Sequence, residues 1–339
     1  MARFALGRGE FGLIAALRRA AGRARGPWRV AIGDDAAVLR VPAGSELVTT
    51  VDALVEDVHF RFATTDARSL GRKALAVNLS DLGAMGATPV GCLLALGVPR
   101  HAAGARLDGF LAGLLAAARA SRCPLVGGDT VASPVFFASV TAFGVAPRGR
   151  ALLRSGARPG DRVLVTGTLG ASALGLAWLE SGRGGAAHAR AFVRRHRVPR
   201  PPFGLGARLA RRGDVTAAID VSDGLVQDLG HVARESGVAI DVDVARVPLP
   251  AGAARVAAQL GLDALASALH GGEDYELAFC ARRTAPSAAE LSRKLGVPIR
   301  EIGRVRRGRG VRLLRDGKVV QIPGSGWDHF KAPAARAEE

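Results

Sequence analysis

The chain has 339 residues, 48 % of them hydrophobic, and a formal charge of +17. That length exceeds one typical domain, so two are expected, and no run approaches the roughly 18 unbroken apolar residues of a membrane span. Of the 47 basic residues, four are lysines (Lys73, Lys294, Lys318, Lys331) and 43 are arginines scattered along the chain, with aromatics at only 5 %; a nucleic-acid face needs basic residues massed on one element with aromatics between them.

A positive field of this size still attracts anionic substrates such as nucleotides. Cys92, Cys123 and Cys280 are odd in number, scattered and set among apolar neighbours. Without CxxC or metal-ligand spacing they read as core thiols of a reducing cytoplasm.

Glu10 to Ala21 reads as an amphipathic first helix rather than a targeting segment, because Glu10 precedes a short apolar run. Trp28 to Ile32 reads as a strand ending in Gly33-Asp34-Asp35-Ala36-Ala37. Val38 to Val41 and Leu47 to Val51 read as strands paired about the Pro42-Ala43-Gly44 turn. The second delivers Thr49, Thr50 and Asp52, and the loop beyond carries Glu56, Asp57 and His59. Ser69 to Gly86 has helical spacing (Leu70, Ala74, Val77, Leu82) and places Asp81 among Leu, Gly and Met. A strand over Pro89 to Val98 and a helix over Leu107 to Ser121 follow. Leu125-Val126 then leads into Gly127-Gly128-Asp129-Thr130, another acid-bearing strand end, and Val135 to Val145 closes the first half.

The Arg-, Gly- and Pro-rich stretch from Pro147 to Gly160 marks the boundary, giving an amino-terminal domain over 1–148, a second domain over 149–331 and a tail over 332–339. Asp161 to Val165 is a strand, and Thr166-Gly167-Thr168-Leu169-Gly170 is a tight turn into a helix. Gly182 to Pro202 reads as a basic loop and Phe203 to Arg212 as a helix. After it, Ala218-Ile219-Asp220-Val221-Ser222-Asp223-Gly224-Leu225 places two acids where a buried strand hands over to a helix, a usual site for ligand groups in α/β domains. Strand Ile240 to Val244, helix Arg255 to Leu260, a turn over His270 to Glu276 and strand Leu277 to Cys280 come next. An αβ pair from Ala288 to Val305, an Arg-rich hairpin and Gly324-Ser325-Gly326-Trp327-Asp328-His329-Phe330 complete the chain.

The recurrent element is aspartate at strand and helix ends. Unpaired carboxylates are costly to bury, and clusters of hard oxygen suit Mg²⁺, which takes carboxylates together with substrate phosphates. No Walker A segment and no protein-kinase signature set is present. What remains is phosphoryl transfer in which positioning and charge neutralisation supply the catalysis.

Six stretches occur in a telling order: Gly33-Asp34-Asp35-Ala36-Ala37-Val38-Leu39, Val51-Asp52 through His59-Phe60, Asn78-Leu79-Ser80-Asp81-Leu82, Gly127-Gly128-Asp129-Thr130, Asp220-Val221-Ser222-Asp223-Gly224-Leu225 and Gly272-Glu273-Asp274-Tyr275-Glu276-Leu277. Together they resemble the thiamine-monophosphate kinases of the PurM-like, aminoimidazole-ribonucleotide-synthetase-like superfamily. The resemblance implies a two-domain α/β (α+β) PurM-like fold: an amino-terminal domain that forms a β-barrel across a homodimer, and a carboxy-terminal αβ domain. It implies cytoplasmic ATP-dependent phosphorylation of thiamine monophosphate to thiamine diphosphate, with thiamine monophosphate and ATP as the partners. By similarity, several Mg²⁺ ions would be held by Asp35, Thr50, Asp52, Asp81, Asp129, Asp220 and Asp223. Asp129, Asp220 and Asp223 would be the catalytic acids. Gly128, Asp129, Arg154 and Ser222 would line the ATP site, and His59, Glu273 and Trp327 would face the thiamine, Trp327 by stacking. Where the family carries Ser/Thr-Thr-Asp this chain has Thr50-Val51-Asp52, so a metal contact at Val51 would come from its backbone carbonyl.

Other readings stay open on the sequence alone. Selenophosphate synthetase carries a reactive amino-terminal cysteine, whereas the first here is Cys92. The hydrogenase-maturation relative lacks His59 and Trp327 in their motif settings. A catalytically silent nucleotide sensor would bind Mg·ATP without turnover.

Overall fold

The computed structural model describes residues 9–22 and 26–326. Trp327 and the tail over 332–339 lie outside them. Two compact units divide the chain, Met1–Leu153 with Arg197–Asp220, and Arg154–His196 with Val221–Glu339.

In the first unit helix α1 (Gly9–Ala21) precedes strands β1 (Trp28–Val30), β2 (Val38–Leu39) and β3 (Ser45–Val55). Helix α2 (Ala67–Ala84), strand β4 (Thr88–Val98), helix α3 (Ala105–Ser121) and strands β5 (Leu125–Ala132) and β6 (Phe137–Pro147) follow. Asp66 caps α2, accepting from the Ser69 amide at 2.9 Å. The sheet order is β3-β6-β4-β5, antiparallel except for the parallel β4–β5 pair. One apolar core joins Leu70, Leu75, Leu79 and Leu82 of α2 and Leu107, Phe110, Leu111 and Leu114 of α3 to Leu94, Leu96, Val140 and Ala142 of the sheet. Burial of this kind stabilises by about 1.5–3 kcal/mol per large side chain and holds the helices to one face of the sheet.

In the second unit come strand β7 (Arg162–Thr166) and helices α4 (Ala171–Glu180) and α5 (Arg190–Arg197), with helix α6 (Phe203–Ala210) returning to the first. Strand β8 (Val215–Val221) carries the chain across the division. Helix α7 (Leu225–Ser236), strand β9 (Ala239–Asp243), helices α8 (Ala253–Leu260) and α9 (Ala264–His270) and strand β10 (Glu276–Ala281) follow. Helix α10 (Ala288–Leu295) and strands β11 (Ile299–Arg306), β12 (Gly310–Arg315) and β13 (Lys318–Val320) end the described chain. The strands of this unit lie in the order β13-β12-β9-β11-β7-β10, with β12–β9 parallel and the other pairs antiparallel.

Three expectations are corrected. The hairpin about Pro42-Ala43-Gly44 does not form: β2 pairs with β1, and β3 runs an eleven-residue ladder with β6 from Ser45–Pro147 to Val55–Phe137. A long non-local ladder outweighs a local turn joined to a two-residue strand. Second, Gly127-Gly128-Asp129-Thr130 lies inside β5 rather than past its end. A Cβ on Gly128 would strike the Leu94 carbonyl of neighbouring β4, so the glycine lets the strand continue. Third, the basic loop over 182–202 contains α5, which buries Phe192 and His196 four residues apart. Between α8 and the turn at His270, where the sequence carried no assignment, lies helix α9, started by Asp263, whose carboxylate accepts from the Ala266 amide at 2.6 Å.

Candidate active site

In the first unit two hydrogen-bonded pairs link β3 to α2 and α2 to β8. Strand alternation turns Thr50 and Asp52 to one side of β3 and Leu47, Thr49, Val51 and Ala53 to the exposed side. Thr50 Oγ1 donates to Asp81 Oδ2 at 2.5 Å, tying β3 to α2. One residue earlier on the helix, Ser80 Oγ donates to Asp220 Oδ2 at 2.7 Å. Asp220, near the end of β8, is 4 % exposed. The Val51 side chain points away from this group and is 61 % exposed, so only its backbone could serve there.

The remaining first-unit candidates stand differently. Asp35 is exposed in the bend after β1, its amide donating to Asp34 at 3.0 Å. Asp129 is exposed on β5 and accepts from the Thr130 amide at 2.8 Å. Among the described residues neither acid shares a hydrogen bond with Thr50, Ser80, Asp81 or Asp220. His59 Nδ1 accepts from the Val55 amide at 3.1 Å, which leaves Nε2 to carry the proton of the neutral ring.

In the second unit the turn after β8 is held by a residue that the sequence reading did not single out. Asp228 Oδ2 accepts from the amides of Ser222, Asp223 and Gly224 at 3.1, 3.2 and 3.1 Å. Gly224 has φ +123°, and a Cβ there would lie 2.8 Å from the His270 carbonyl, so the turn requires glycine. Burial and the nearby Asp223 charge push the Asp228 carboxyl up to about 7, against the pull of the three amides. Asp223, Asp228 and His231 can present ligand atoms within 4.8 Å of one another. Burial lowers the His231 pKa, and the Arg234 and Arg154 cations lower it further, which puts Arg154 within electrostatic reach of this corner. Asp223 Oδ2 also accepts from Gln227 Nε2 at 3.3 Å.

The Gly-Gly-Glu-Asp-Tyr-Glu turn is stitched to the same corner. The Glu273 amide donates to the Ser222 carbonyl at 2.7 Å, and the Tyr275 amide to the Val221 carbonyl at 2.8 Å. Asp274 is fully buried and accepts from the amides of Gly170 at 2.5 Å and Ser172 at 3.2 Å, capping α4. Burial lifts its carboxyl to about 7 despite those bonds. Glu276, raised by burial, accepts from Thr166 Oγ1 at 2.5 Å and pairs with Arg195. Trp327 falls outside the described residues.

The donor set fits a hard divalent cation. The first unit offers two carboxylates, Asp81 and the almost fully buried Asp220, each bonded to a hydroxyl, and the second offers Asp223, Asp228 and His231 within 4.8 Å of one another.

Known proteins resemble this chain over nearly its whole length. The AIR synthase related protein N-terminal domain model matches residues 33–146, and the AIR synthase related protein C-terminal domain model matches 158–316. Over 329 residues the chain is 40 % identical to the thiamine-monophosphate kinase of Salmonella typhimurium, a match covering 96 % of this chain and 99 % of that protein. The crystal structure of thiamine-monophosphate kinase from Stenotrophomonas maltophilia K279a has a TM-score of 0.82 at 40 % identity, covering 92 % of this chain and 98 % of that one. AaThiL complexed with AMPPCP and TMP has a TM-score of 0.77 at 33 % identity, covering 96 % and 98 %.

Proposed function

The chain belongs to the thiamine-monophosphate kinases of the AIR synthase related family, and from that premise we propose that it transfers the γ-phosphoryl group of ATP in line to the phosphate of thiamine monophosphate. Its mixed α/β, two-domain architecture is the PurM-like fold. The products are thiamine diphosphate and ADP. The relative bound to both AMPPCP and TMP supports this pair of substrates.

The observation that best supports the reading is the set of acids held by hydrogen bonds, Asp81 by Thr50 and the almost fully buried Asp220 by Ser80, together with the Asp223, Asp228 and His231 group of the second unit. The attacking atom is a phosphate oxygen. A phosphate monoester has a second pKa of about 6 and is already ionised near neutral pH, so no general base is required. The bond from γ-phosphorus to the ADP oxygen breaks as the bond to the acceptor oxygen forms, without a phosphoenzyme. Bound Mg²⁺ ions would cancel the repulsion between the two phosphate groups.

This chain's residues would arrange that encounter. Asp35, Thr50, Asp52, Asp81, Asp129, Asp220 and Asp223, with the backbone of Val51, would hold the ions. Gly128 and Asp129 of the first unit, and Arg154 and Ser222 of the second, would line the ATP site. Asp228 would keep the Ser222 and Asp223 amides fixed. His59, Glu273 and Trp327 would meet the thiamine portion. The exposed apolar side of β3 supports a homodimer in which residues 1–148 close a barrel, and the buried thiols Cys92, Cys123 and Cys280 accord with a cytoplasmic enzyme.

Incubating the purified protein with Mg·ATP and thiamine monophosphate should give ADP and thiamine diphosphate in equal amounts by chromatography. A chiral γ-phosphoryl group should arrive inverted. Retention would argue for a phosphoenzyme, and turnover only with another acceptor would exclude thiamine monophosphate as substrate.

A further inference from the structure

We propose that His196 is a positioning residue that aims the Glu273 carboxylate at the thiamine end of the acceptor; the inference rests on the reading of Glu273 as a thiamine-facing group. His196 lies on α5 and is 4 % exposed. Its Nδ1 is 3.0 Å from Glu273 Oε2 and 3.1 Å from Ser172 Oγ. An ionised carboxylate can only accept, so the contact with Glu273 is a hydrogen bond only when Nδ1 carries the ring proton.

The backbone beneath Glu273 is fixed independently. Glu273 and Tyr275 hold φ of +65° and +50°, uncommon for residues with a Cβ, and their amides bind the Ser222 and Val221 carbonyls. Asp274, the next residue, accepts from the Ser172 amide, and Ser172 Oγ meets His196 Nδ1. The contacts therefore close a ring, Glu273 to His196 to Ser172 to Asp274 and back along the chain. Arg195, beside His196 on α5, pairs with Glu276 and donates to the Asp274 carbonyl at 3.4 Å. Short helix α5 thus presents two consecutive side chains to one acidic turn.

With its backbone fixed, Glu273 retains freedom only in its side chain, which is 28 % exposed. A flexible glutamate loses rotamer entropy when it engages a ligand, and one held beforehand loses less. The imidazole is too buried to meet substrate, and the transfer needs no base. Its effect falls on acceptor binding.

Steady-state kinetics separate this role from a structural one. His196→Leu should raise the KM for thiamine monophosphate about tenfold, the size of one hydrogen bond to a charged group, with the KM for ATP within twofold. His196→Asn, whose amide N–H can replace Nδ1–H, should recover most of the loss. The Glu273→Gln, His196→Leu double variant should be no worse than Glu273→Gln alone. Equal changes in both KM values, or additive losses, would overturn the proposal. A normal acceptor KM in Glu273→Gln would overturn the placing of Glu273 and the proposal with it; an effect of Glu273→Gln without one of His196→Leu would overturn the proposal alone. Nitrogen NMR of histidine in the unsubstituted enzyme needs no variant to fold: a proton on Nδ1 of His196 is expected, and one on Nε2 alone would overturn the assignment.

Discussion

Asp220 sits almost fully buried near the end of β8 with Ser80 Oγ at 2.7 Å on Oδ2. A charge so placed is costly unless a cation compensates it, and the amide of asparagine matches the shape without the charge. Asp220→Asn should therefore lower kcat at least about 100-fold, the scale seen when one preorganised electrostatic group is removed, while the melting temperature holds or rises. Activity near the unsubstituted level at ordinary Mg²⁺ would remove Asp220 from the metal-binding group. Thr50, on the inward side of β3, should behave differently on substitution by Ser, which keeps the hydroxyl that reaches Asp81. Thr50→Ser should retain activity within a few-fold, and Thr50→Val should not, a contrast that steady-state assays of the two variants would reveal.

The turn from Gly272 to Glu276 works as one element, and Asp274 is its anchor. That carboxyl stands at about 7 in the folded protein, raised chiefly by burial, against roughly 4 in an unfolded chain. The folded state thus keeps a proton that the unfolded chain has already released. Stability should fall as pH rises from about 4 to about 7, by an amount on the order of a few kcal/mol from this group, and level off above. Denaturant midpoints across that range would show the decline, and Asp274→Asn should make it shallower while leaving the part due to Asp228 and Glu276; an unchanged slope would mean that Asp274 is ionised throughout. The Glu-Asp-Tyr-Glu run was visible as a motif, but its anchoring was not. Helix α5, which supplies Arg195 and His196, reads Arg190-Ala191-Phe192-Val193-Arg194-Arg195-His196-Arg197, eight residues with two buried. So short a helix draws its stability from tertiary packing, which periodicity cannot display. The i, i+4 spacing of Phe192 and His196 was the available signal. Asp228 was legible only as a helical acid, because its three amide partners depend on the fold of the turn. The acids at Asp81 and Asp220 were legible because carboxylates among Leu, Ile and Val contradict the local pattern wherever no ligand is intended.

Across the whole molecule, alternation along β3 separates two faces of one strand. Thr50 and Asp52 face inward, while Leu47 and Val51 are 44 % and 61 % exposed on the opposite side. The sequence alone read β3 as half of a local hairpin, which would have hidden this division; its ladder to β6 leaves β3 at the edge of the four-stranded sheet. An exposed apolar edge invites pairing or aggregation unless something covers it. A second copy of the chain would meet both needs at once, and Val51 would then add to the covered surface, its side chain pointing away from Thr50 and Asp52. Light scattering should accordingly give twice the chain mass at micromolar concentration. Leu47→Glu would place a charge in each half of the contact and remove about 3 kcal/mol of apolar burial over two copies, weakening association at least about 100-fold. If the unsubstituted protein is a monomer, or Leu47→Glu leaves the dimer intact, the barrel does not form through this face.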